Sequence, residues 1–113
     1  MKEIKTKQEF VENVSDLGVF DFKGDNNTIL DFHAPWCGPC KTIGPILEDV
    51  SKSIDGLDVY KINVDELGEI AQMFNVRSIP TIIYIRKDGN KTQTVGSIDK
   101  ASLTAKIKNY FEV

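Results

Sequence analysis

Asp31-Phe32-His33-Ala34-Pro35-Trp36-Cys37-Gly38-Pro39-Cys40-Lys41 is the stretch on which the fold turns. Just before and into it, Thr28-Ile29-Leu30-Asp31-Phe32 is a short apolar run after the turn-like Gly24-Asp25-Asn26-Asn27, the pattern of a buried strand. Beyond it, Ile43, Ile46, Leu47, Val50 and Ile54 recur at helical spacing. The stretch is therefore a strand-to-helix junction, and Cys37 opens the helix.

Working outward, Val59 to Val64 alternates apolar and polar residues and predicts a second strand. Leu67, Ile70, Ala71 and Phe74 mark a short helix, and the β-branched and aromatic run Thr81 to Ile85 a third strand. Asp88-Gly89-Asn90 is a turn from which Lys91 to Val95 pairs back as a hairpin. Asp99 is placed to cap a last helix with Leu103, Ile107, Tyr110 and Phe111 on its apolar face. Towards the N-terminus, Ile4 suggests an edge strand, and Phe10, Val11 and Val14 a helical turn. Leu17 to Phe22 is apolar without a period. The order β-α-β-α-β-α-β-β-α predicts an α/β fold, with parallel crossovers and a closing hairpin making a central mixed sheet flanked by helices on both faces.

The 113 residues fit one domain, 1–113. Apolar residues at 41% suffice for one core, and a net charge of −3 with acids and bases interspersed excludes the clustered basic patch of a nucleic-acid binder. No run approaches the ~20 apolar residues of a membrane helix. The N-terminal lysines precede no apolar run, so no secretory signal is expected. These features predict a cytoplasmic protein that engages neither nucleic acid nor membrane.

Cys37 and Cys40 are the only cysteines. As a staple the pair is weak, because so short a loop is worth roughly 2 kcal/mol in the chain-entropy model. As chemistry it is well placed. The first turn of a helix presents unpaired N–H groups and the positive end of the macrodipole, both of which favour a thiolate. Three residues are almost one turn, so the second sulfur lies within bonding reach of the first. One cysteine attacks a substrate disulfide and the other resolves the mixed disulfide. Pro39 falls where a missing N–H costs nothing and stiffens the loop. Gly38 leaves room for a substrate chain, and Trp36 forms an apolar wall beside the attacking sulfur. A closed zinc site needs about four ligands, and with His33 the sole histidine no metal is expected.

With these motifs the chain resembles the thioredoxin family, from about Thr28 to the C-terminus. The resemblance rests on the Asp31–Lys41 segment, Gly44-Pro45, Lys61-Ile62-Asn63-Val64-Asp65, Val76-Arg77-Ser78-Ile79-Pro80-Thr81 and Val95-Gly96. It implies a thioredoxin fold and a protein-disulfide reductase with no bound cofactor. Its partners would be disulfide-containing proteins and a thioredoxin reductase, NADPH- or ferredoxin-dependent, and the protein would be a monomer. Residue by residue, it implies that Cys37 is an exposed nucleophile and Cys40 a buried resolving thiol. Asp31 would be a buried carboxylate assisting proton transfer, with Lys61 as its neighbour. Pro80 would be cis and would hold the Ile79 backbone for a substrate peptide, Gly96 would flank the substrate groove, and Pro45 would kink the helix. Burial alone would raise the pKa of Asp31 towards neutrality. Plainer readings stand beside these: a strand-end acid for Asp31, a solvated Lys61, and a turn glycine at Gly96. His33 stands where many members carry tryptophan and can tune the site electrostatically, or simply pack. Leu17–Asn27 is about seven residues longer than in common bacterial members. Other activities are an oxidase or isomerase, which commonly carries Gly-His or Pro-His between its cysteines, and a binding subunit that does not use the thiols.

Overall fold

The computed structural model describes all 113 residues. Five strands and four helices follow one another as β1 (Lys2–Ile4), α1 (Lys7–Asn13), β2 (Asn27–His33), α2 (Gly38–Lys52), β3 (Leu57–Asn63), α3 (Gly68–Met73), β4 (Thr81–Ile85), β5 (Lys91–Val95) and α4 (Lys100–Phe111). The sheet order is β1-β3-β2-β4-β5. β1 and β2 run parallel to β3, while β2–β4 and β4–β5 are antiparallel, so the sheet is mixed as expected.

The two-residue period of the strands decides what each face holds. Leu30 and Phe32 of β2 join Ile4, Ile62, Ile83 and Ile85 beneath α1 and α3, where Phe10, Ile70 and Ala71 complete one core. Ile29 faces the other way and joins Val59, Ile82 and Tyr84 beneath α2 and α4, which contribute Ile43, Leu47, Val50, Leu103, Ile107 and Phe111. Asp31 lies two residues beyond Ile29 and so points to the α2 side.

Element ends follow from local chemistry. β3 begins at Leu57, two residues earlier than the alternation suggests, because Gly56 turns the chain at φ +71° and brings Leu57 opposite Asn27. That pairing also draws Asn27 out of the expected turn and into β2. At its other end β3 stops at Asn63 rather than Val64. The Asn63 side chain accepts a hydrogen bond from the Asp65 N–H at 2.9 Å and so starts a turn. Asp99 caps α4 as its sequence suggests, accepting from the Ser102 N–H at 2.7 Å. α2 continues through Pro45 as one helix to Lys52, short of the apolar Ile54.

The aperiodic Leu17–Phe22 segment is neither helix nor strand. A single antiparallel bridge between Ser15 and Phe22 closes it, and the buried Ser15 hydroxyl accepts from the Asp21 N–H at 2.8 Å. The Phe20 and Phe22 rings stack at 6.4 Å, and Phe20 meets Phe74 edge-on at 5.8 Å. Phe74 also touches Phe10 and Phe32, so it ties this loop to the core. We expect Phe74→Ala to lower stability by about 3–5 kcal/mol and Asp99→Ala by about 1 kcal/mol in urea unfolding. The first change should also loosen amide-exchange protection between residues 15 and 22, and the second should not.

Candidate functional site

The β2 backbone leaves the sheet at His33, and four residues later Cys37 serves as the N-cap of α2 (φ −87°, ψ 108°). Its Sγ accepts from the Cys40 N–H at 3.3 Å, which satisfies one of the orphan donors of the first turn. Pro39, within that turn, has no N–H to leave unpaired. Cys37 and Cys40 are joined as a disulfide, with Cα atoms 5.4 Å apart. Contrary to the expectation for Cys37, both cysteines are shielded, at 4% and 7% exposed. Gly38 and Pro39 between them are exposed, and a Cβ on Gly38 would meet nothing. The fold itself makes no demand for glycine there.

Trp36 stands 69% exposed beside this loop. Its indole N–H donates to Asp65 Oδ2 at 2.9 Å, which fixes an otherwise free ring. Trp36, Val64, Val76, Arg77, Ser78 and Ile79 line one shallow groove. The Ile79–Pro80 peptide is cis, as the resemblance implies. Pro80 is buried, and its carbonyl accepts from the Gly96 N–H at 2.8 Å. Gly96 has φ +87°, a conformation that by itself requires glycine. The plain turn reading of Gly96 is thus sufficient for its identity.

On the sheet face beneath α2 lies a buried carboxyl group. Asp31 is 1% exposed, and neither oxygen has a protein hydrogen-bond partner. Burial raises its pKa from 3.8 to about 6, against the opposing pull of His33 and Lys61, while Glu3 adds to the rise. In register, Lys61 of β3 lies opposite Asp31 on one side and opposite Glu3 on the other. Lys61 is half-buried rather than solvated, and with His33, Ala34, Pro35, Cys40 and Lys41 it lines a small recess of about 120 Å³. No cluster of three or more His, Cys, Asp or Glu side chains suits a metal ion.

The structure thus gathers Cys37, Cys40, Trp36, Gly38 and Pro39 at the head of α2, and Trp36 shares a groove with Ile79. Asp31 and Lys61 lie on the sheet face that α2 covers. Sequence reasoning missed two partners. Asp65 and Glu3 are 29 and 30 residues from the side chains they hold, and no local pattern joins them.

The chain matches the family model described as Thioredoxin over residues 2–109. It is 38% identical over 103 residues to the chloroplastic M-type thioredoxin of Spinacia oleracea, covering 88% of this chain and 57% of that one. With the thioredoxin of Borreliella burgdorferi it is 37% identical over 110 residues, 94% of each chain. The structure of a mutant thioredoxin from Halobacterium salinarum superposes with a TM-score of 0.81 at 28% identity, covering 99% of this chain and 91% of that one.

The raised Asp31 sets a pH dependence. The folded state binds this proton more tightly than the unfolded chain, so its contribution is fully present below pH 3.8 and is lost as the pH rises through about 6. Relative to Asp31→Asn, the oxidised protein should lose about 3 kcal/mol of unfolding free energy between pH 3.5 and pH 8. A constant difference across that range, measured by urea unfolding, would contradict the burial argument.

Proposed function

Because this chain belongs to the thioredoxin family and is a thiol–disulfide oxidoreductase acting on disulfide-containing proteins, we propose that it works as a general disulfide reductase with Cys37 as nucleophile and Cys40 as resolving thiol. The observation that carries the assignment is the position of Cys37 as N-cap, with its sulfur on a backbone N–H of the first turn. The same N–H and the helix dipole stabilise its thiolate once the pair is reduced.

The reaction balances over two exchanges. The Cys37 thiolate attacks one sulfur of a substrate disulfide, forming a mixed disulfide and releasing the other substrate sulfur as a thiolate. Cys40 then loses its proton to the Asp31 carboxylate, and its sulfur attacks Cys37. The mixed disulfide breaks, the second substrate thiolate leaves, and the Cys37–Cys40 disulfide remains. The substrate gains two electrons and the protein loses two. A carboxyl group titrating near 6 is matched to taking a thiol proton close to neutral pH, and Lys61 beside it offsets the charge that would otherwise hinder its ionisation.

Substrate peptide would lie in the groove between Trp36 and Ile79, over the open Gly38-Pro39 face, with the Ile79 backbone available to an extended chain. The cis Pro80, bonded to Gly96, holds that backbone in place. For repeated turnover the disulfide must be reopened, and a thioredoxin reductase is the proposed donor. We place the protein in the cytoplasm as a monomeric domain without resident cofactor. No helix is long and apolar enough to cross a membrane.

Cys37→Ser should abolish reduction of a protein disulfide, whereas Cys40→Ser should accumulate mixed disulfides visible by mass spectrometry under substrate excess. Absence of such adducts would overturn this assignment of roles. Asp31→Asn should slow the resolving step at pH 7 by roughly tenfold or more while leaving the fold intact, and an unchanged pH–rate profile would remove Asp31 from the reaction.

A further inference from the structure

His33 and Lys61 line the recess behind Cys40 together with Lys41 of α2, and on the strands they neighbour Asp31 and Glu3. Asp31, Lys61 and Glu3 occupy one row across the sheet, and His33 follows Asp31 on the same face. β3 lies between β1 and β2, so the backbones bearing Glu3 and His33 are two strand spacings apart, about 10 Å. Yet His33 Nε2 donates to Glu3 Oε2 at 3.2 Å, both side chains largely shielded at 16% and 33% exposed. The contact spans β3 on the side where Lys61 projects. It holds the imidazole at the wall of the recess that Cys40, Lys41 and Lys61 also line.

We propose that His33, held in place by Glu3, is a positioning residue for the proton on Asp31, its charge deciding how readily that carboxyl releases or takes a proton during the resolving step. The inference rests on the role assigned to Asp31 above. Along β2 the backbones of His33 and Asp31 are two residues apart, roughly 7 Å, and their side chains lie on the same face of the sheet. Imidazole is also the side chain whose charge changes around neutral pH. The other charged side chains near it are Lys61 of β3 and Lys41 of α2, which line the recess, and Glu3 of β1, bonded to the ring. A charged ring favours the Asp31 carboxylate and a neutral ring the acid, so the proton on Asp31 is linked to the charge on the ring. The N-terminal strand, remote in sequence from the cysteines, thereby acts on their chemistry through Glu3.

The test follows the Asp31 side-chain carboxyl by carbon NMR through a pH titration of the reduced protein, alongside the pH profile of mixed-disulfide resolution. In the unmodified chain the Asp31 signal should show two inflections, one of them tracking the His33 ring. In His33→Gln the second inflection should vanish. The main midpoint should rise by roughly half to one and a half pH units, the effect of removing one charge about 7 Å away, and the kinetic profile should move with it. His33→Lys, which keeps a cation that does not titrate near neutrality, should give one inflection and restore the midpoint to the unmodified value or below. It carries the test if the glutamine variant fails to fold. Glu3→Gln should shrink the second inflection. An unmoved Asp31 midpoint in His33→Gln overturns the proposal, as does a full-sized second inflection in Glu3→Gln. Asp31→Asn separates the two levels: if it leaves resolution unchanged, the assigned role of Asp31 fails, while the NMR titration still judges the coupling to His33.

Discussion

The constraint from which the rest follows is the seating of the first turn of α2 above the C-terminal end of β2. A strand that is buried on both faces must place every second side chain under a covering helix, and at position 31 that side chain is a carboxyl group. The helix that covers it begins at Cys37, whose sulfur takes the place of an ordinary capping oxygen. One packing arrangement thus puts a cysteine at the positive end of a helix and a buried carboxyl group beneath the same helix.

This arrangement sets stability against reactivity. A carboxyl group with no protein partner is costly to bury, and more so when charged. The surrounding fold tolerates that cost because both faces of the sheet carry their own apolar cluster, one under α1 and α3 and the other under α2 and α4. The neighbouring Lys61 and His33 lower the cost only in part, which leaves Asp31 near 6 rather than returning it to 3.8. Complete neutralisation would give a firmer domain with a poorer proton acceptor.

On the opposite side of the cysteine loop the same economy of parts recurs. The Trp36 ring, Val64 and the Val76–Ile79 segment border one groove although they come from three separate connections. The indole is anchored to Asp65, just beyond β3, and the cis Pro80 to Gly96, just beyond β5. The loops that border the groove are therefore tied down next to strand ends, which would spare the proposed peptide site the cost of being ordered on binding.

Much of this was legible from local pattern. The order of elements, the junction at Cys37, the hairpin at Asp88-Gly89-Asn90 and the cap at Asp99 depend on periods of two and 3.6 residues and on turn chemistry, which act over a few neighbours. The resemblance of Val76–Thr81 to a family segment supplied the cis Pro80 that spacing alone does not specify. The sheet order and the tertiary contacts were decided elsewhere. The sheet order puts Glu3 within reach of His33 across β3, and the end of β3 near the cysteine loop lets Asp65 reach Trp36. The shielding of Cys37 in the closed pair was likewise not legible in the sequence. Such pairings join residues about thirty positions apart, and their distances are set by how strands pack rather than by any preference the residues carry themselves.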